Sequence, residues 1–187
     1  MGNKKNEGKN WQSGLAERFV PPLDNKWAEV GPRHPKWKER VKQELMALAK
    51  YVEFLSSEYP RPWLRLKPDR DPRYNYMIWR GFIQVPSRPE VKFDMLILLS
   101  SEYPVVIPRC FLEESVEKYS GKLYIKNRYQ DKASGKTYIM ICHDHMGEVK
   151  NAWEPNLGIA HFFIREVWFW FAAMQNHILT EWDKQHS

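Results

Sequence analysis

Two cysteines occur in this chain, and their surroundings differ. Cys142 follows the apolar run Tyr138-Ile139-Met140-Ile141 and opens the sequence Ile-Cys-His-Asp-His, just ahead of a polar loop with Gly147, Asn151 and Pro155. A cysteine at a strand end facing such a loop can be exposed. His143, His145 or Lys150 nearby would favour its thiolate, which is the nucleophilic form. The same residue can equally be a small buried side chain within a strand. Cys110 lies inside Ile-Pro-Arg-Cys-Phe-Leu, among apolar strand residues, and reads as structural. Two isolated thiols give no basis for a disulfide framework.

Other chemistries have less to stand on. His143 and His145 fall on the same side of an extended chain, and Cys142 could join them on a metal. A third or fourth ligand is needed, however, and only His161 is close in sequence. No His-Glu-x-x-His or Cys-x-x-Cys occurs, so no metal is expected. A Cys/His hydrolase pairing Cys142 with His161 or His145 lacks a recognisable nucleophile turn. His161, in an apolar helix start, reads as a core histidine. No Gly-rich phosphate loop or dinucleotide fingerprint appears, and no cofactor is expected. The basic run Lys36, Lys38, Arg40, Lys42 reads first as a solvated helix face.

These residues need elements to place them. A chain of 187 residues with 43% hydrophobic and 28% charged residues suits one globular domain. Its 14% aromatic content, including 9 Trp, implies a densely packed aromatic core. Net charge is +6, but it is spread out, with no Arg-rich block or zinc-finger spacing, so nucleic acid is not expected as a partner. No apolar run is long enough to span a bilayer, and the N-terminus lacks an apolar signal core. A cytoplasmic protein is expected. Residues 1–34, with Pro21-Pro22 and Gly31-Pro32, read as a flexible tail followed by an irregular arm; Trp11, Phe19 and Trp27 could dock it on a main domain covering 35–187.

From Pro35 on, Trp37, Val41, Leu45, Leu48, Val52 and Leu55 recur at steps of three and four, the spacing of an amphipathic helix stopped by Pro60 and Pro62. Strand-like runs follow at 63–67, 75–85 and 91–99. A fourth, at 105–112, contains Pro108 and is therefore expected at an edge. Residues 122–141 predict a hairpin, with Leu123-Tyr124-Ile125 and Tyr138-Ile139-Met140-Ile141 flanking an Asp-Lys-Ala-Ser-Gly-Lys tip. Residues 158–182 return to helical spacing through Ile159, Phe162, Phe163, Val167, Trp168, Phe171 and Met174. Helix, meander of about four strands, irregular cysteine segment, helix: the class is α+β.

This order resembles the plan of ubiquitin-conjugating enzymes. Tyr103-Pro104-Val105-Val106-Ile107-Pro108 is similar to their Tyr-Pro-x-x-x-Pro turn, Ile141-Cys142 to their cysteine segment, and Trp153-Glu154-Pro155 to the end of the loop after it. Trp79-Arg80-Gly81 resembles their second strand. The resemblance is closer to the branch that conjugates ubiquitin-fold modifier. Gly31-Pro32-Arg33, Tyr51-Val52-Glu53, Lys92-Phe93-Asp94, Ile141-Cys142-His143-Asp144-His145 and Leu157-Gly158-Ile159-Ala160-His161 look like its motifs, in its order, over about residues 31–177. The Asp-His pair stands one residue nearer the cysteine than in that branch. The stretch from Pro108 to Cys142 is longer, by an amount assigned to the hairpin tip. The His-Pro-Asn motif of ordinary ubiquitin-conjugating enzymes is absent, as it is in the branch.

The resemblance implies a ubiquitin-conjugating fold and a thioester carrier. Cys142 would take a ubiquitin-like modifier from an activating enzyme and pass it to a substrate amine, with a ligase and a protein substrate as further partners. Asp144 or His145 would orient or deprotonate the amine, and Lys38 and Lys42 would dock the activating enzyme. The rival from another class is a catalytically inactive binding module on the same fold; a thiol hydrolase is the third reading.

Overall fold

The computed structural model describes residues 20–58, 64–120, 127–141 and 153–187. Helix α1 (Trp37–Glu58) begins where the backbone N–H of Lys36 donates to Nδ1 of His34 and that of Trp37 to the His34 carbonyl. Trp37, Val41 and Leu48 are buried on one face, as their spacing predicts, with Leu45 and Val52 partly buried beside them; Tyr51 is buried as well. Leu55, Pro60, Pro62 and Trp63 lie outside the described side chains.

Six antiparallel strands form one sheet: β1 (Leu64–Pro68), β2 (Ile78–Val85), β3 (Arg88–Leu98), β4 (Arg109–Glu113), β5 (Arg128–Gln130) and β6 (Thr137–Met140). They lie in the order β1-β2-β3-β4-β6-β5. Alternation assigns the two faces. Trp79, Ile83 and Val85 of β2, Phe93, Met95 and Ile97 of β3, Cys110 and Leu112 of β4, and Ile139 of β6 enter the main core under the helices. Ile78, Leu96, Phe111 and Tyr138 form a second apolar cluster on the other face. Gly81 lies in β2 because a Cβ there would stand 1.6 Å from the Arg65 carbonyl oxygen of β1.

The fourth strand corrects the sequence expectation. β4 is interior, paired with β3 on one side and β6 on the other. Pro108 precedes the strand rather than interrupting it, so its missing N–H removes no ladder hydrogen bond. Burial on both faces, at Cys110, Phe111 and Leu112, is what an interior strand requires.

The hairpin tip falls where expected, at residues 131–136, closed by Asp131 N–H to the Lys136 carbonyl. Its first arm is Arg128–Gln130; the Leu123-Tyr124-Ile125 run lies outside the described residues. Between β4 and β5 a 3-10 turn (Glu114–Val116) and the short helix α2 (Glu117–Ser120) were not foreshadowed by periodicity.

The C-terminal helical run comprises α3 (Gly158–Phe162), a π-turn (Phe163–Val167) and α4 (Trp168–His186). Ile159, Phe163, Val167 and Phe171 follow at steps of four, and each such step drifts about 40° on an α-helix. The wider π-turn absorbs that drift, so all four stay buried. Tyr119 of α2 packs between Phe93 and Trp182, which ties this run to the sheet.

Candidate active site

Cys142, Asp144 and His145, with His143 and Lys150, fall in residues 142–152, outside the described residues. What the structure fixes is the chain on either side. Upstream, the buried Ile141 extends β6, and its N–H donates to the Cys110 carbonyl of β4 at 3.0 Å. The sheet register therefore sets the residue that immediately precedes Cys142. Cys110 itself is buried, and burial pushes its thiol far above the ordinary range, in keeping with a structural role.

Downstream, the chain resumes at Trp153. Its indole Nε1 donates to the Pro104 carbonyl at 2.8 Å, and its ring lies 6.5 Å from that of Tyr103. Tyr103 is buried, with the edge of Trp37 on it as well. The Tyr-Pro turn singled out in the sequence is thus the seat of the Trp/Pro loop. Gly31 explains the Gly-Pro-Arg lead-in: a Cβ there would stand 2.2 Å from the Tyr103 carbonyl oxygen.

Beneath this seat lies an ion pair that the sequence reading missed. Of the basic run at the start of α1, Lys36, Lys38 and Lys42 are exposed, but Arg40 is not part of a solvated face. Its side chain is fully buried and paired with Glu44, Nε to Oε1 at 3.0 Å, and Glu44 is fully buried too. The remaining guanidinium donors reach the Trp27 carbonyl, the Pro155 carbonyl (2.8 Å) and the Tyr103 hydroxyl (3.4 Å). Tyr103 donates its own proton to Glu44 Oε1 at 2.6 Å. Burial, followed by the negative charge of Glu44, holds that hydroxyl protonated well past its usual range, although Arg40 opposes the shift.

The other Glu44 oxygen, Oε2, accepts the Ile159 N–H at 2.7 Å, satisfying one of the orphan donors at the start of α3. Gly158 makes room for it, with φ at +78° and a would-be Cβ only 2.4 Å from Oε2. A signal for the pair was present. Positions 37, 40, 41, 44 and 48 form a single i, i+3, i+4, i+7, i+11 stripe, so Arg40 and Glu44 had to share the face of Trp37 and Val41.

Further along, His161 is buried with Nδ1 2.5 Å from the Leu157 carbonyl oxygen, the core role expected of it. Glu166, in the π-turn, is a buried carboxyl pushed up to about 7 by burial, with Arg165 opposing. Among the described residues there is no group of three or more His, Cys, Asp or Glu side chains able to hold a metal ion. No described helix is long and apolar enough to cross a membrane.

No curated protein sequence matches the chain closely enough to count as a relative. The model of the family described as ubiquitin-fold modifier-conjugating enzyme 1 matches residues 17–182, which takes in α1, the whole sheet, the cysteine segment and the C-terminal helices up to Trp182. The α+β architecture, with a helix before an antiparallel meander and a helix after the cysteine segment, is accordingly the ubiquitin-conjugating fold, and the chain belongs to the ubiquitin-fold modifier-conjugating enzyme 1 family.

Proposed function

We propose that the protein carries a ubiquitin-like modifier of the ubiquitin-fold type as a thioester on Cys142 and transfers it to a substrate amine. The observation that carries this reading is the family match over residues 17–182, within which Ile141-Cys142 directly follows the last strand. The Cys142 thiolate attacks the activating enzyme's thioester carbonyl; that enzyme's thiolate leaves, and the modifier's C-terminal acyl group now sits on Cys142. A lysine amine then attacks the new thioester. As the tetrahedral intermediate collapses, the C–S bond breaks, an amide forms, and the amine's proton passes to a base. The protein's contribution is to hold acyl group and amine in place and to stabilise the oxyanion. Backbone N–H groups or another side chain serve that oxyanion in place of His-Pro-Asn. Asp144 or His145 orients or deprotonates the amine.

Lys38 and Lys42 are exposed on α1 and dock the activating enzyme through charge, which speeds encounter. A ligase and a protein substrate complete the set of partners, and the reaction runs in the cytoplasm. Residues 35–187 form the catalytic domain. Residues 1–34 form an arm, the described part of which is fastened through Val20 in the core and the Leu23 N–H to the Asn156 carbonyl.

Loading by an activating enzyme with ATP, read on a non-reducing gel, tests this. A thiol-sensitive adduct one modifier heavier is expected in wild type and Cys110→Ala and absent in Cys142→Ala. No adduct, with an activating enzyme shown to be charged, would point instead to an inactive binding module. Lys38→Glu with Lys42→Glu should slow loading, most at low salt; unchanged loading removes the docking role. Unchanged discharge to free lysine in both Asp144→Ala and His145→Ala removes theirs.

A further inference from the structure

A buried Arg–Glu pair is a weak source of stability, because desolvating two charges offsets most of their attraction. Apolar residues of similar volume on α1 would fill the same space. They could not, however, hold three other stretches of chain at one point through hydrogen bonds. Arg40 donates to the Trp27 and Pro155 carbonyls, and Glu44 accepts from Tyr103 and from the Ile159 N–H. Tyr103 in turn packs at a tilt against Trp153, whose indole N–H is held by the adjoining Pro104 carbonyl. Among the described residues, the side-chain contacts of the pair outside α1 therefore end on the N-terminal arm, on the Tyr-Pro turn, or on residues 155–159.

The consequence concerns residues 142–152, the stretch holding Cys142. Their upstream neighbour, Ile141, is fixed by the sheet through the Cys110 carbonyl. Their downstream neighbours, Trp153 and Pro155, are fixed by the Tyr-Pro turn and by Arg40. On the carrier reading of Cys142, we propose that Arg40, Glu44 and Tyr103 are positioning residues for transfer: they lock the downstream end of the cysteine segment to α1, and so set where the thioester meets the incoming amine. Acyl transfer is sensitive to such placement, since reacting atoms must approach to about 3–3.5 Å and an error near 1 Å can cost about 100-fold in rate.

Two substitutions loosen this junction and keep a ring: Tyr103→Phe loses the hydroxyl that donates to Glu44 and accepts from Arg40, and Trp153→Phe loses the indole N–H on the Pro104 carbonyl. Full-length wild type and variants are loaded, the activating step is quenched, and discharge is followed over a series of free lysine concentrations. Thermal unfolding is recorded in parallel. The expected result is variants that fold and load, with discharge at saturating lysine slowed about 10-fold or more and the half-saturating lysine concentration unchanged. The double variant should lose less than the two single effects combined, because both act on one flank.

A lowered melting temperature with wild-type discharge well below it, in both variants, would reduce the network to a structural role and overturn the assignment. If Tyr103→Phe fails to fold, Trp153→Phe decides alone. If wild type never loads, the carrier reading fails separately. Alkylation of Cys142 by iodoacetamide then reads the segment without any activating enzyme: a changed rate in the variants supports positioning, and equal rates overturn it.

Discussion

Arg40 and Arg80 do similar chemistry in opposite settings. Arg40 is fully buried between α1 and the loops around the cysteine segment, and it spans residues 115 apart in sequence when it reaches Pro155. Arg80 stands on the other face of the sheet, 28% exposed, and clamps Asp69 (2.8 Å) and Asp131 (2.7 Å). Through Asp131 it draws the hairpin tip across the second apolar cluster, and Lys136 repeats the attachment on Asp94. Water reaches one centre and not the other. The first is therefore intolerant of losing a partner, while the second fastens a hairpin with contacts that solvent and salt can soften.

The largest effect that would break this comparison is at the buried pair. Arg40→Met leaves the Glu44 carboxylate uncompensated and should cost about 3–5 kcal/mol in urea unfolding. A cost under 1 kcal/mol would mean that Glu44 is better solvated than its burial indicates.

Two glycines of positive φ sharpen the contrast. Gly158→Ala meets Glu44 Oε2 as well as an unfavourable backbone and should cost about 2–3 kcal/mol. Gly135→Ala in the hairpin tip, at φ +70° with nothing within 4 Å of its would-be Cβ, should cost only the backbone component, about 1 kcal/mol. Equal costs in urea unfolding would deny the difference in packing.

Asp131→Asn probes the second clamp, in which Asp131 is itself buried while Arg80 and Asp69 are partly exposed, and should cost about 1–3 kcal/mol at pH 7. Burial raises the Asp131 carboxyl, but hydrogen bonds from Arg80 and Ser134 outweigh it and hold the group below its ordinary value. A depressed carboxyl stabilises the fold above its unfolded pKa, and that contribution is lost as pH falls through the folded value. The gap between wild type and Asp131→Asn should therefore close below about pH 4. A gap constant in pH would assign the loss to packing. The smallest effect is that of salt. In 1 M NaCl, where the Debye length is about 3 Å, the Asp131→Asn cost should shrink by about 0.5 kcal/mol or less, and that of Arg40→Met should not change.

Much of the scaffold was legible because it is written in local periodicity. The three- and four-residue steps of α1, the strand-like apolar runs of β2 and β3, and the polar hairpin tip can each be read within one element. Where the reading failed, it had weighed residue type over position. Pro108 suggested an edge, yet its place one residue before β4 made it harmless. Arg40 was grouped with Lys36, Lys38 and Lys42 because all four are basic, although its spacing from Trp37 put it inside. α2 is a single turn, too short to show a period.

The amino-acid sequence by itself determined the order of helix, strands and helix, the structural character of Cys110, and the family motifs that single out Cys142. These depend on neighbours within a few residues, or on the linear order of motifs. Only the tertiary structure decided that the Arg40–Glu44 pair of α1 meets the Tyr-Pro turn, Pro155 and Ile159 at one point. No local pattern encodes such a junction. Each of its bonds joins segments distant in sequence, and a charge becomes tolerable in the core only once folding has brought its partners to it.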